Sequence, residues 1–192
     1  MALLDRNRSV VVVIDVQEKY LPHLHEADRV VEACRRLIEG AKLVGVPLLP
    51  TEQYPKGLGP TADALRAAWP AGCAPIEKST LSCLGCTGFV GALEASGRRQ
   101  VVVAGIEAHA CVNQTVHDLL ASGYEVHLVV DAVSARFARD HRVAVRRLEA
   151  AGAVPTTVEA VLLEWVRAAD SPDFQGVRRI IRDPLPGSPS GD

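Results

Sequence analysis

Short apolar runs alternate with longer amphipathic segments along the 192-residue chain. Runs of four to six residues that are rich in β-branched types are typical of strands buried on both faces of a parallel sheet. Between them, apolar residues recur at the spacing of three and four that is typical of helices with one buried face. The pattern predicts strands at 10–14, 46–49, 75–77, 101–104, 126–130 and 153–155. It predicts helices at 28–44, 61–68, 87–95, 111–121, 140–151 and 157–168.

The order of these elements predicts the fold class. Gly45, Gly97, Gly123 and Gly152 each follow a predicted helix and precede a strand, as helix-terminating glycines do. Strands that alternate with helices, joined by right-handed crossovers, form a doubly wound α/β fold. We therefore expect one domain over residues 1–182, with helices on both faces of a mostly parallel six-stranded sheet of order 3-2-1-4-5-6. Residues 183–192, rich in Pro, Gly and Ser, are predicted to form a flexible tail.

Composition and charge exclude several classes of function. The content of 48% hydrophobic and 23% charged residues is that of a compact globular protein. A net charge of -2 without a run of basic residues argues against nucleic acid as a partner. No apolar run approaches the roughly 20 residues that cross a bilayer, and no leader segment is recognisable, so we expect no membrane partner. Five cysteines without a regular framework favour a reducing, cytoplasmic location.

Three chemically capable side chains stand at the predicted carboxyl ends of strands, where open parallel sheets bind ligands. Asp15 follows the first strand, Lys78 the third and Cys111 the fourth. The strand order places Asp15 and Cys111 on two sides of one crevice, with Lys78 entering from the neighbouring edge. A lysine charge and a helix N-terminus both favour a thiolate, and Asp15 can accept its proton. Taken singly, the three residues are also explained as a turn or cap, a solvated charge and a core thiol.

Three segments resemble the signature regions of the isochorismatase-like cysteine hydrolase superfamily. They are VVVIDVQEKY at 11–20, EKSTLSC at 77–83 and VAGIEAHACVNQT at 103–115. The resemblance extends over about residues 9–157, and TEQYPKGLGPT at 51–61 narrows it toward isochorismatase-domain-containing proteins. It implies a catalytic triad of Asp15, Lys78 and Cys111 that cleaves C–N bonds of small amides and ureides through an acyl-enzyme. The expected partner is therefore a small-molecule substrate.

Further expectations come from the same resemblance. It implies a cis peptide between Ile106 and Glu107, which directs the backbone N–H of Glu107, together with that of Cys111, at an oxyanion. Nicotinamidases of this superfamily carry Asp and His metal ligands after the second strand, whereas this chain has TEQY at 51–54, so we expect no metal and no other cofactor. The retained Cys111 favours covalent chemistry over the hydrolysis of an isochorismate-type vinyl ether. Family members assemble as dimers or tetramers, which implies a homo-oligomer.

Other residues are weaker candidates. Substrate contacts are predicted for Gln17, Gln53, Tyr54, Ile106 and Glu107. His109 is expected to bond to nearby backbone, and His23 and His25 to lie at the surface, because two ligands do not complete a metal site. Arg136 and Arg139 suit either a substrate carboxylate or a subunit interface.

Besides the isochorismate-type vinyl-ether hydrolase, which the retained Cys111 disfavours, two alternative functions stay open. One is a non-catalytic or regulatory metabolite-binding protein on the same fold. The other is a redox protein that uses Cys83 and Cys86, a C-x-x-C pair for which a purely structural role is the simpler interpretation. The sequence does not identify the substrate.

Overall fold

Six parallel strands form one sheet in the computed structural model, which describes residues 3–187. The strand order β3-β2-β1-β4-β5-β6 confirms the predicted single doubly wound domain. The strands are β1 (Ser9–Ile14), β2 (Leu48–Gln53), β3 (Ile76–Lys78), β4 (Gln100–Ile106), β5 (Glu125–Ser134) and β6 (Val154–Thr156).

Helices cover both faces of the sheet. They are α1 (Ala27–Val44), α2 (Pro55–Leu58), α3 (Asp63–Ala68), α4 (Thr87–Ala95), α5 (Cys111–Ala121), α6 (Ala138–Ala150), α7 (Val158–Val166) and α8 (Phe174–Ile181). Short 3-10 turns occur at Leu21–His23 and Cys83–Gly85. In residues 3–187 no helix is both long enough and apolar enough to cross a membrane.

The central strands are buried on both sides, which explains their uninterrupted valine runs. Val11 and Val13 of β1 pack into the core beneath α1, α3, α7 and α8, whereas Val10 and Val12 pack beneath α4, α5 and α6. Because side chains alternate across a strand, a fully buried strand must be apolar at every position. The Ser9 hydroxyl accepts a hydrogen bond from the Trp165 indole at 3.0 Å, which ties α7 to the start of β1.

Glycine is required where β1 and β4 approach each other. Gly105 has φ +114, and a Cβ at this position would lie 2.2 Å from the Ile14 carbonyl oxygen. The bare backbone therefore allows the ends of β1 and β4 to lie side by side.

Some elements extend beyond the predicted bounds. β2 continues to Gln53 and pairs with β1 and β3 there, because the side chains of Thr51 and Glu52 find buried hydrogen-bond partners in Asp15 and Thr61. β5 continues to Ser134 after a register shift against β4. α2 and α8 lie outside the predicted helices, and α8 buries Val177 against the layer formed by α1 and α7.

The start of the predicted tail lies against α1. The Arg36 guanidinium donates to the carbonyl oxygens of Asp183 and Pro184, and Leu185 packs on the core. Residues 188–192 lie outside the described residues, so the predicted flexible tail at 183–192 stays a prediction.

Candidate active site

A buried ion pair occupies the carboxyl edge of the sheet. Asp15 directly follows β1 and Lys78 ends β3, and the Lys78 Nζ lies 2.6 Å from Asp15 Oδ2. The Lys78 side chain is 0% exposed and that of Asp15 is 5% exposed. Thr51 of β2 lies between the two strands and donates to the other oxygen, Asp15 Oδ1, at 2.7 Å.

Oxygen acceptors surround the Lys78 ammonium. Besides Asp15, they are Gln53 Oε1 at 2.7 Å and the carbonyl oxygens of Thr80 and Leu81, both at 3.2 Å. An ammonium has three N–H donors, so these contacts use its full capacity. Burial is the largest single influence on Lys78 and lowers its pKa. The Asp15 charge, the hydrogen bond to Asp15 and the thiols of Cys83 and Cys111 together outweigh burial, so the pKa of Lys78 is raised. Lys78 is therefore a permanent ammonium that is enclosed by the protein.

Cys111 is the first residue of α5 and faces this pair. The residue is 7% exposed. Burial, followed by the negative charge of Asp15, raises the pKa of the Cys111 thiol to about 12, although the Lys78 charge acts in the opposite direction. Burial and Asp15 thus oppose the thiolate that the Lys78 charge favours. The unliganded site places this thiol beside the Asp15 carboxylate.

The three residues meet beside a small cavity of about 200 Å³. Asp15 and Cys111 line it, whereas Lys78 lies behind Asp15. Its walls are mostly apolar, and the lining residues are Asp15, Tyr20, Gln53, Leu58, Leu81, Ile106, Glu107, Ala110 and Cys111.

Glu107 connects three loops around the cavity. The Tyr20 hydroxyl donates to Glu107 Oε2, and the Arg136 backbone N–H and Nε each donate to Glu107 Oε1 at 3.2 Å. Burial and the Glu107 carboxylate raise the pKa of Tyr20 to about 12, so its hydroxyl keeps its proton. The Ile106–Glu107 peptide is cis.

Backbone hydrogen bonds join the same loops. The Ala108 N–H donates to the Ser134 carbonyl at 2.7 Å, and the His25 N–H donates to the Ala135 carbonyl at 2.9 Å. The Ser134 hydroxyl donates to the His25 carbonyl at 2.6 Å.

Comparison with known proteins identifies the family to which this chain belongs. The model of the isochorismatase domain family matches residues 9–160. The chain belongs to the isochorismatase family. Isochorismatase domain-containing protein 2A of Mus musculus is 40% identical to it over 185 residues, which are 94% of this chain and 85% of that protein.

Solved structures of isochorismatase-like folds are similar over nearly the whole chain. The MAR1 ribonuclease of Caenorhabditis elegans has a TM-score of 0.92 and 36% identity, covering 100% of this chain and 98% of that one. YcaC of Escherichia coli, described as an octameric hydrolase of unknown specificity, has a TM-score of 0.87 and 26% identity, covering 94% and 89%. YcaC of Pseudomonas aeruginosa with hexane-2,5-diol and covalent acrylamide has a TM-score of 0.85 and 25% identity, covering 93% and 91%.

The predicted substrate-contacting residues of this isochorismatase-family chain divide into two groups. Gln53, Ile106 and Glu107 line the cavity, although both ends of the Gln53 amide are bonded, to Lys78 and to the Ser79 carbonyl. Gln17 is fully buried and its amide bonds to the backbone of Gln53 and Gly59, so it braces the loop after β2. Tyr54 is 59% exposed and lies outside the cavity lining.

The remaining candidates do not line the cavity. His23 is exposed, whereas His25 is half-buried and lies 3.6 Å from Glu26. His109 is half-buried, and its Nδ1 has no hydrogen-bond partner among the described residues. Arg139 lines none of the cavity, whereas Arg136 binds Glu107. Within residues 3–187 there is no group of three or more His, Cys, Asp or Glu side chains arranged to hold a metal ion.

Both thiols of the C-x-x-C segment are free. Cys83 is fully buried and burial raises its pKa to about 11. Cys86 is half-buried and contacts the Glu77 carbonyl oxygen at 3.6 Å. Because Cys83 is fully enclosed and lies outside the cavity lining, no reaction partner reaches its sulfur, which disfavours the redox alternative.

Sequence reasoning missed several cavity residues. Tyr20 lies in the same segment as Asp15, but its contact with Glu107 spans 87 positions and left no local signal. Leu58 comes from α2, which the hydrophobic pattern did not predict. Thr51 could have been found, because it stands beside Ile14 once β2 is extended in register with β1.

A Thr51→Val variant is expected to be less stable by about 1–3 kcal/mol, because it removes the hydroxyl that donates to a buried carboxylate. Urea unfolding should show a lower midpoint with an unchanged slope. Thr87→Val, at the start of α4, removes a hydroxyl from an exposed position and serves as the control. Equal stability of the two variants would contradict the importance of the Thr51 contact.

Proposed function

We propose that this chain is a hydrolase that cleaves a small amide or ureide through a covalent intermediate on Cys111, without a metal. The observation that carries the proposal is a thiol at a helix N-terminus beside a buried carboxylate that is paired with an enclosed ammonium. A nucleophile next to a base that a third group orients is the arrangement of covalent acyl transfer.

The first half of the reaction follows from the protonation states. As the Cys111 sulfur attacks the carbonyl carbon, the S–H proton passes to Asp15 and the carbonyl π electrons move to oxygen. The developing oxyanion is held by the backbone N–H groups of Cys111 and Glu107. When the oxyanion collapses, the C–N bond breaks and Asp15 returns the proton to the leaving nitrogen. An acyl thioester on Cys111 remains.

Water completes the cycle in the second half. Asp15 takes a proton from the attacking water, the C–O bond forms, and the C–S bond breaks on collapse. The proton then returns to the sulfur, which restores the neutral thiol. Lys78 takes no proton in this scheme, because an ammonium has no lone pair and its N–H groups are bonded to oxygen acceptors. Its role is to orient the Asp15 carboxylate.

The donor set at the end of β2 supports the proposal that no metal takes part. The Glu52 carboxylate accepts from the Thr61 N–H at 2.6 Å and from the Thr61 hydroxyl at 2.8 Å. Gln53 is committed to Lys78 and Ser79. The oxygen atoms of this segment are thus bound to protein groups, and imidazole ligands are not part of it.

The comparisons support the proposed class of ligand at the level of related proteins. The covalent acrylamide of Pseudomonas aeruginosa YcaC is a small uncharged amide, which is the class proposed for this chain. The octameric Escherichia coli YcaC supports the proposal of a homo-oligomer here, with a dimer or tetramer as our expectation. The word ribonuclease describes the Caenorhabditis elegans protein. A cavity of about 200 Å³ walled by Asp15 and Glu107 suits a small amide better than a phosphodiester.

Trapping the acyl group tests the proposal. The protein is mixed with a panel of small amides and ureides, quenched in acid and analysed by peptide mass spectrometry. We expect an acyl mass shift on the peptide that carries Cys111. Cys83→Ala should keep the shift and Cys111→Ser should lose it. Hydrolysis that persists in Cys111→Ala would refute the covalent mechanism, and tight metabolite binding without turnover would favour the binding-protein alternative.

A further inference from the structure

Within the described residues, the cavity wall contains two carboxylates and no basic side chain. Asp15 and Glu107 line it at 5% and 9% exposure. The ammonium nearest to Cys111, that of Lys78, is fully enclosed and bonded to four oxygen acceptors. Arg136 is outside the lining and its side chain is 50% exposed, so solvent screens its charge more strongly than that of Glu107 and it compensates the carboxylate only in part. A ligand in the cavity therefore meets negative charge at short range.

The neutral polar groups of the wall also present hydrogen-bond acceptors to a ligand. Tyr20 uses its proton in the bond to Glu107, which leaves only oxygen lone pairs for a ligand. One N–H of the Gln53 amide donates to the Ser79 carbonyl, which leaves this residue a single N–H for a ligand. The side chains of the cavity thus favour a ligand that brings its own N–H donors, and backbone N–H groups are left for the carbonyl oxygen.

We propose that Glu107 makes this site selective for uncharged amides or ureides that carry N–H donors, and that it excludes substrates bearing a carboxylate or phosphate. The proposal rests on the proposed function in taking Cys111 as the reacting group. Like charges brought together in a partly desolvated cavity repel strongly, whereas a neutral amide of the same size does not. Isochorismate-type vinyl ethers, which carry carboxylates, are excluded on the same ground.

Two alkylating reagents of equal heavy-atom count test the selectivity without requiring turnover. Iodoacetamide is a neutral amide and iodoacetate is its anionic counterpart; in both, the thiolate sulfur bonds to the CH₂ carbon and iodide leaves. The rate of modification of Cys111 is measured with each reagent by peptide mass spectrometry at one alkaline pH. The ratio of the two rates is divided by the ratio for 2-mercaptoethanol in the same buffer. We expect a corrected ratio of roughly tenfold or more in favour of iodoacetamide.

Two variants that are expected to change the corrected ratio in opposite directions test whether Glu107 causes the selectivity. Glu107→Gln should bring the corrected ratio close to one, because it removes the carboxylate and leaves Arg136 unpaired. Arg136→Gln should increase the ratio, because the Arg136 backbone N–H still holds Glu107 while the compensating charge is gone. Glu18→Gln removes a carboxylate outside the lining and serves as the control. Thermal melts establish which variants fold. If Glu107→Gln does not fold, the ratio measured for Arg136→Gln decides the test.

The outcomes separate this proposal from the proposed function. A wild-type corrected ratio near one, with Cys111 alkylated by both reagents, overturns the selectivity and leaves the nucleophile intact. A selective wild type whose ratio is unchanged in both Glu107→Gln and Arg136→Gln overturns the assignment to Glu107. Iodoacetamide that modifies the half-buried Cys73 and spares Cys111 at every pH overturns both proposals.

Discussion

Replacing Lys78 by methionine is expected to lower the free energy of unfolding by about 3–5 kcal/mol. Methionine fills a similar volume but leaves the Asp15 carboxylate buried without its cation, as well as three other acceptors without a donor. An uncompensated buried charge costs far more than the loss of a surface ion pair. Guanidinium unfolding monitored by circular dichroism should show the midpoint falling with little change in slope.

A double variant shows how much of this loss comes from the broken ion pair. The double variant Asp15→Asn with Lys78→Met carries no buried charge, so it should recover most of the stability that Lys78→Met loses. Lys42→Met, at an exposed position of α1, should change stability by no more than about 0.5 kcal/mol. The interpretation is wrong if Lys78→Met is as stable as Lys42→Met.

Asp15→Asn is expected to reduce turnover by roughly 10²–10⁴-fold, since it removes the proton acceptor of the proposed mechanism. The same change should make Cys111 more reactive toward iodoacetamide. The Asp15 charge is one of the causes that raise the pKa of the thiol to about 12, whereas the Lys78 charge, which lowers that pKa, remains. At a pH below 12 the variant therefore holds more thiolate than the wild type.

Opposite changes in the two rates distinguish a base from a structural residue. Alkylation is followed across pH and is expected to shift to lower pH in Asp15→Asn, while hydrolysis of the best amide falls. Asp131→Asn, which removes a half-buried carboxylate that accepts from the Val158 N–H far from the cavity, should change neither rate. Loss of both alkylation and turnover in Asp15→Asn would indicate collapse of the site instead.

The fold and the position of the site were predictable because they depend on regular features of the chain. The valine runs of β1 and β4 have a composition that only strands buried on both faces require. Strands of one direction bring their carboxyl ends to one edge, so Asp15, Lys78 and Cys111 could be located together from their positions after strands. The family motifs added the roles that the pattern alone did not give.

What the sequence could not predict depends on side-chain direction and on the balance of charges. Gln17 and Tyr54 stand beside the site in sequence, yet one turns into the protein and the other out of the cavity. The sequence indicates that Lys78 favours a thiolate at Cys111, which the Lys78 charge does, but not that burial and Asp15 raise the pKa of the thiol more strongly. Such outcomes are set by distances among residues remote in sequence, which no periodicity encodes.

The hydrogen bonds that join Ala108 to Ser134 and His25 to Ala135 have a consequence for substrate range. Together with the Tyr20–Glu107–Arg136 contacts, they fasten the loops at the cavity mouth to one another. An entrance whose loops are bonded to one another on several sides cannot widen to admit a larger substrate. We therefore expect substrate size to set a sharp limit. Diverse compounds below that size should enter the cavity, whereas their longer homologues should fail to bind at all.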